Sequence, residues 1–135
     1  MKATDIAFVK LVGIEQDGDK LSLEFKDDVQ NHIQTIHASA QFTLAETQSG
    51  LYLQKLFPEL EGKVIPVLRD AKVKYKKPAF KKVVAFSHVE DEDIQKLQEQ
   101  FLKKGRGSIE VSVEVKDVDG VCTMQAVFTW FIQRV

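Results

Sequence analysis

The segment from Ala38 to Leu56 constrains the fold more than any other part of the chain. It contains no proline, is rich in Ala, Leu, Glu and Gln, and stops just short of Pro58. Such residues lose little side-chain freedom in a helix, so one long helix is expected there. Most of the remaining chain follows a different period. Ala7 to Glu15, then Leu21, Leu23 and Phe25, flank Asp17-Gly18, a dipeptide suited to a tight hairpin turn, and this predicts two opening strands. Asp27 to His37 is polar and contains Asn31, as a loop would be. Further on, Ala71, Val73 and Tyr75 alternate with Lys72, Lys74 and Lys76, which predicts a strand with one wet face over Val64 to Tyr75. Pro78 ends that strand, and Val83 to Val89 is a second apolar run of strand length.

Glu90 to Lys104 opens on four acidic residues, spaces Ile94, Leu97 and Phe101 helically and closes on two lysines. That charge order suits the helix dipole, so a second, surface helix is expected. Ile109, Val111, Val113 and Val115 alternate with polar residues, and after Asp119-Gly120 the run Val121 to Ile132 completes a hairpin. The predicted order is strand-strand-helix-strand-strand-helix-strand-strand. This is an α+β architecture in which about six antiparallel strands wrap a long central helix. A chain of 135 residues leaves no room for a second core, so residues 1–135 are expected to form one domain.

Charge narrows the partners. With 19 basic against 20 acidic side chains the net charge is -1, which favours neither nucleic acid nor a membrane surface. The one cysteine, Cys122, has no partner for an intrachain disulfide and fits a reducing, cytoplasmic setting. Met1 to Val12 lacks a signal-peptide pattern, and no window reaches the roughly 18 apolar residues of a membrane span.

On a helical projection Glu46 shares a sector with Phe42 and Leu53, whereas the stripes Gln41-Gln48-Lys55 and Thr43-Thr47-Gln54 lie elsewhere. No lysine or arginine stands three or four residues from Glu46 to form a helical ion pair. A carboxylate in apolar surroundings is either paired from another segment or raised in pKa, as a general base near neutral pH would be.

The run Asn31-His32-Ile33-Gln34-Thr35-Ile36-His37-Ala38-Ser39-Ala40-Gln41-Phe42-Thr43-Leu44-Ala45-Glu46 resembles the signature of hotdog-fold thioesterases of the phenylacetyl-CoA type. In that signature an Asn or Gln precedes His-Gly-Gly, Phe-x-Leu-Ala and an acid. Asp70 to Ala79 is similar to the family's third strand and its following turn, and Gly105-Arg106 through Asp119-Gly120 to its last hairpin. The sequence departs from the pattern twice. Ala38-Ser39 replaces the glycine pair, and Glu90 to Lys104 is inserted between the fourth and fifth strands, as in a thioesterase-like subgroup of unassigned function.

The resemblance implies a hotdog fold and hydrolysis of an acyl-CoA thioester, coenzyme A being part of the substrate and no separate cofactor being required. It assigns Glu46 as base or nucleophile, the Ala38 amide as oxyanion donor, Asn31 as carbonyl polariser and Ser49 as holder of the water. His37 either joins the chemistry or orders the loop entering the helix. Ala38 and Glu46 are eight residues apart, about 12 Å at the helical rise per residue, so one helix cannot offer both to one carbonyl. The family's answer is a two-fold homodimer with shared sites, or a dimer of such dimers. Lys77, Lys81, Lys82 and Arg106 fall at turns that the resemblance places beside the coenzyme A channel. The stripe Lys72, Lys74 and Lys76 reads instead as a solvated strand face. His32, His37 and His88 have no converging cysteines or carboxylate pairs, so no metal site is expected. The competing reading is a non-catalytic acyl-CoA or lipid-binding module of the same fold.

Overall fold

The computed structural model describes residues 2–135. A short helix α1 (Ala7–Val12) leads into strands β1 (Glu15–Asp17) and β2 (Lys20–Leu23); the long helix α2 (Ala38–Leu56) follows, then β3 (Val64–Tyr75), β4 (Val83–His88), helix α3 (Asp91–Lys104), β5 (Arg106–Asp117) and β6 (Cys122–Arg134). All pairings are antiparallel, and the six strands lie in the order β1-β2-β4-β5-β6-β3. The expected six strands around one helix are present, with α2 bounded as the sequence predicts.

The N-terminus departs from expectation. Ala7–Val12 is helical, and the first strand is only Glu15–Asp17. Gly13 closes α1 in the left-handed conformation, with φ 88. A side chain is strained there, so this glycine ends the helix and turns the chain into β1. The apolar residues before it read as a strand in sequence because their period is masked by Phe8 and Leu11, which stay exposed.

One face of the sheet is apolar. Ile109, Val111, Val113 and Val115 of β5 and Met124, Ala126 and Phe128 of β6 are buried, while Glu110, Ser112 and Glu114 face the other side. Leu44 and Leu51 of α2 meet Leu21, Leu23, Val83 and Ala85 in the same core, and Phe42 packs edge-on against Phe128 at 5.5 Å between ring centroids. Each such side chain taken out of water contributes roughly 2 kcal/mol. On the opposite face Lys72 and Lys74 lie level with Val127 and Gln125, as the alternating pattern predicts.

Helix α3 takes the place of a strand. β4 pairs with β5 only as far as His88 opposite Ser112, so Arg106 to Val111 would have a bare edge. Leu97 and Phe101 of α3 are buried beside it, and Gln100 Oε1 accepts the Ser108 amide at 3.2 Å. Gly107 permits this approach, because a Cβ there would lie 2.6 Å from Gln100 Oε1 and 2.8 Å from Leu97. At the β3 edge, β3 pairs with β6 alone among the described residues, and Ile65 and Val67 on it are exposed.

Candidate active site

Five residues of α2 and the turn after it, Phe42, Glu46, Gly50, Leu53 and Phe57, fall within one sector of the helix at 100° per residue. They form one wall of a cleft of about 560 Å³. Trp130 and Ile132 of β6, Val64 and Pro66 of β3, and Ile6, Phe8 and Val9 at α1 supply most of the rest. No other cleft found among the described residues has so apolar a lining. Glu46 is half-buried in its wall, and its carboxylate has no hydrogen bond or ion pair with any described residue. Burial pushes its pKa above the usual carboxylate range. Most of the side chains that line the cleft around Glu46 are apolar.

Beside it stands a fixed aromatic wall. Trp130 Nε1 donates to Ser49 Oγ at 2.8 Å, and Ser49 Oγ donates to the Glu46 carbonyl at 2.6 Å. Ser49 is fully buried, so its hydroxyl ties β6 to the helix turn that carries Glu46. This differs from the water-holding role expected of Ser49, because its proton and one lone pair are already committed inside the protein. Trp130 was missed in the sequence; its partnership with Ser49 spans 81 positions.

The remaining candidates gather at the other end of α2. His37 is the N-cap, its Nδ1 accepting the Ser39 amide at 3.0 Å. Asn31 Oδ1 accepts the amides of Ile33 and Thr35 at 3.1 and 3.0 Å, and Nδ2 donates to Thr35 Oγ1 at 2.7 Å, which leaves one N–H for a ligand. Gln34 in this loop takes a positive φ of 59, uncommon for a residue other than glycine. The Ala38 amide, at the first helical position, has no acceptor among the described residues, and its carbonyl receives the Tyr75 hydroxyl at 3.0 Å. An unpaired amide at a helix N-terminus suits developing negative charge. Glu46 lies eight residues further along α2, about 12 Å away.

The cationic candidates do not form one cluster. Lys81 pairs with Asp119, and Lys82 with Glu24 at 3.4 Å, both near the β5–β6 turn with Lys77. Arg106 begins β5, eleven residues from Asp117 and so roughly 36 Å away along the strand. Within one chain Arg106 and Lys81 cannot hold the same phosphate.

An antiparallel sheet packed around one long central helix is the hotdog fold. A family model described as a domain of unknown function, DUF4442, matches residues 7–132, and the chain belongs to that family. Comparison with curated proteins gave no match. Among solved structures, a protein of unknown function from Pseudomonas aeruginosa, described as a probable thioesterase, is 20% identical with a TM-score of 0.83, over 98% of this chain and 91% of that one. A Bacillus halodurans protein solved with CoA is 21% identical with a TM-score of 0.72, over 93% of this chain and 74% of that one. A thioesterase from Haemophilus influenzae is 15% identical with a TM-score of 0.74, over 97% and 85% respectively. Among the described residues no helix is long and apolar enough to cross a membrane.

Proposed function

We propose that this chain hydrolyses an acyl-CoA thioester at a site shared by two copies in a homodimer. The observation that carries the reading is the Glu46 carboxylate, half-buried in an apolar cleft and without a partner among the described residues. A surface glutamate would be solvated, and a structural one would be bonded. The Ala38 amide and Glu46 lie eight residues apart on one helix, about 12 Å, so a second copy must bring its helix start to the first copy's Glu46. The open β3 edge, with Ile65 and Val67 exposed, is the surface on which such a pair would form. Likeness to the CoA-bound Bacillus halodurans protein supports the carrier.

In the proposed reaction Glu46 takes a proton from water, and the resulting hydroxide adds to the thioester carbonyl carbon. The oxyanion accepts a hydrogen bond from the partner's Ala38 amide, with the remaining Asn31 N–H assisting. Collapse breaks the carbon–sulfur bond, and the thiolate recovers the proton from Glu46. In this reading Lys77 and Lys82 would meet phosphates at the β5–β6 end of the sheet, and the whole of residues 1–135 would act as one unit. Glu46→Gln should lower turnover of an acyl-CoA panel by about a hundredfold or more. Unchanged turnover, or an active monomer by light scattering, would remove the reading. The commitment of Ser49 and most of Asn31 to internal bonds favours a second reading, a non-catalytic acyl-CoA binder. Tight binding across a chain-length series with no hydrolysis by the unaltered protein would establish it.

A further inference from the structure

Lysine is spread unevenly along this chain. Residues 71–89 hold Lys72, Lys74, Lys76, Lys77, Lys81 and Lys82 and no acid, in a protein whose net charge is -1. The last four of these bracket one aromatic side chain, Phe80, in the connection between β3 and β4. Phe80 is 61% exposed, although Ala79 beside it is fully buried. Turns favour glycine, proline and small polar residues, so local geometry does not call for a phenyl ring there.

This connection is held on several sides. The Lys76 amide donates to the Thr123 carbonyl at 2.8 Å, and the Ile36 amide donates to the Ala79 carbonyl at 2.9 Å. Lys81 pairs with Asp119, and Lys82 with Glu24 at 3.4 Å. Phe80 thus offers its ring to solvent from a fixed backbone. Lys76 and Lys77, by contrast, have no ion pair with any described residue. A bare aromatic face within four residues of two unpaired ammonium groups suits a ligand that is both anionic and aromatic. Inorganic phosphate would use the cations and leave the ring idle.

Position in the fold narrows the ligand further. Ile36 stands two residues before Ala38, and Ala79 one residue before Phe80, so the bond between Ile36 and Ala79 ties the turn to the start of α2. At 3.8 Å per residue step, Phe80 lies within about 18 Å of Ala38. The pantetheine arm of coenzyme A bridges a span of that order, with the thioester at one end and an adenine nucleotide at the other.

We propose that the turn from Lys76 to Lys82 is a nucleotide subsite, in which Phe80 stacks on the adenine ring of coenzyme A while Lys76 and Lys77 meet its phosphates. Resting on the acyl-CoA reading of Glu46 and Ala38, it adds that the copy supplying the Ala38 amide also holds the nucleotide. It adds too that the acyl group arrives on free coenzyme A, since the phosphopantetheine of a carrier protein has no adenine to stack.

Coenzyme A and adenosine 3′,5′-bisphosphate are titrated by calorimetry into the full chain and into Phe80→Ala, Phe80→Leu, Phe80→Tyr and the double variant Lys76→Ala/Lys77→Ala. Circular dichroism and light scattering follow folding and assembly in each. Both ligands should bind the unaltered protein. Phe80→Ala and Phe80→Leu should each weaken them by about tenfold, and Phe80→Tyr by less than about twofold. The lysine variant should weaken both several-fold, a difference that shrinks with added salt. In hydrolysis, Phe80→Ala should narrow the preference for octanoyl-CoA over octanoyl-pantetheine by the same factor, through KM. Bisphosphate that does not bind, or affinity equal in every variant, would overturn the proposal. So would leucine restoring what alanine loses, which would make position 80 an apolar packing site, or a changed assembly in Phe80→Ala, which would make it a subunit contact. Phe80-dependent binding to phosphatidylglycerol vesicles that the bisphosphate does not displace would assign the turn to a lipid surface instead. The subsite and the hydrolase reading fail separately. Phe80-dependent nucleotide binding with no hydrolysis by any form would retire the hydrolase and keep the subsite; equal kcat/KM for octanoyl-CoA and octanoyl-pantetheine would do the reverse.

Discussion

The two opposite faces of α2 each carry polar side chains into the protein, and they treat them in opposite ways. On one side Gln48 is almost wholly buried and fully employed. β2 reaches β4 only through Ser22 and Leu23, which leaves the Leu21 amide without a strand partner, and Gln48 Oε1 accepts it at 2.9 Å. Gln48 Nε2 donates to the Asp19 carbonyl at 3.2 Å and to Ser87 Oγ at 3.1 Å. Gln41, two turns back on the same stripe, accepts the Thr123 hydroxyl at 2.7 Å. On the other side the Glu46 side chain stands in apolar surroundings and has no hydrogen bond or ion pair with any described residue. The first face is polar chemistry used to complete a sheet, and the second is polar chemistry left without a protein partner among the described residues. The two are told apart by their partners, since both are polar residues in the same helix.

The contrast can be broken by substitution. The largest effect is expected at Glu46. Glu46→Gln should cost about a hundredfold in turnover while leaving thermal stability unchanged or higher, because it removes a desolvated charge. Loss of stability in step with activity would place Glu46 with Gln48 as a structural residue. Gln48→Leu should behave in the opposite sense, losing roughly 2 kcal/mol in a denaturant titration through the orphaned Leu21 amide and Asp19 carbonyl, with kcat changed little in the folded fraction. A neutral result would mean that the buried glutamine contributes no net stability. Ser49→Ala should cost about 1 kcal/mol by leaving the Trp130 N–H unpaired, and should broaden the tryptophan emission.

The pH dependence is the mildest test. Glu46 is an acid whose folded pKa is raised above its ordinary value of 4.5 by burial. Between those two values the folded chain holds the proton more than the unfolded chain does, so this group's contribution to stability falls as pH rises through the window. Activity should move the other way, rising with pH as the base ionises. Glu46→Gln should abolish the falling stability limb, measured as the difference between the two proteins' melting temperatures across mildly acidic pH. A limb that persists in the variant would assign it to another group.

Much of this arrangement is legible in the sequence. The bounds of α2 and β3, the last hairpin and α3 all follow from periods of 3.6 and two, from helix-favouring residues and from dipole-ordered charges, because those signals act over a few residues. Glu46 could also be picked out, since its sector mates are apolar and no cation lies within a helical turn. α1 was not legible: Phe8 and Leu11 are apolar yet exposed, so hydrophobicity along Ala7–Val12 does not report which side is inside.

Tertiary structure alone decided the rest. In sequence Gln41, Gln48 and Lys55 form one polar stripe, but the first two are buried, Gln41 against the Thr123 hydroxyl and Gln48 against the Leu21 amide, while Lys55 stays outside. Ser49 and Trp130 become partners across most of the chain, and Lys81 and Arg106 are sent to opposite ends of one strand. Short-range pattern records which surfaces a segment must bury. It does not record which distant group will satisfy a buried donor, and that pairing, set by chain closure over tens of residues, is what separates a structural glutamine from an unpartnered glutamate.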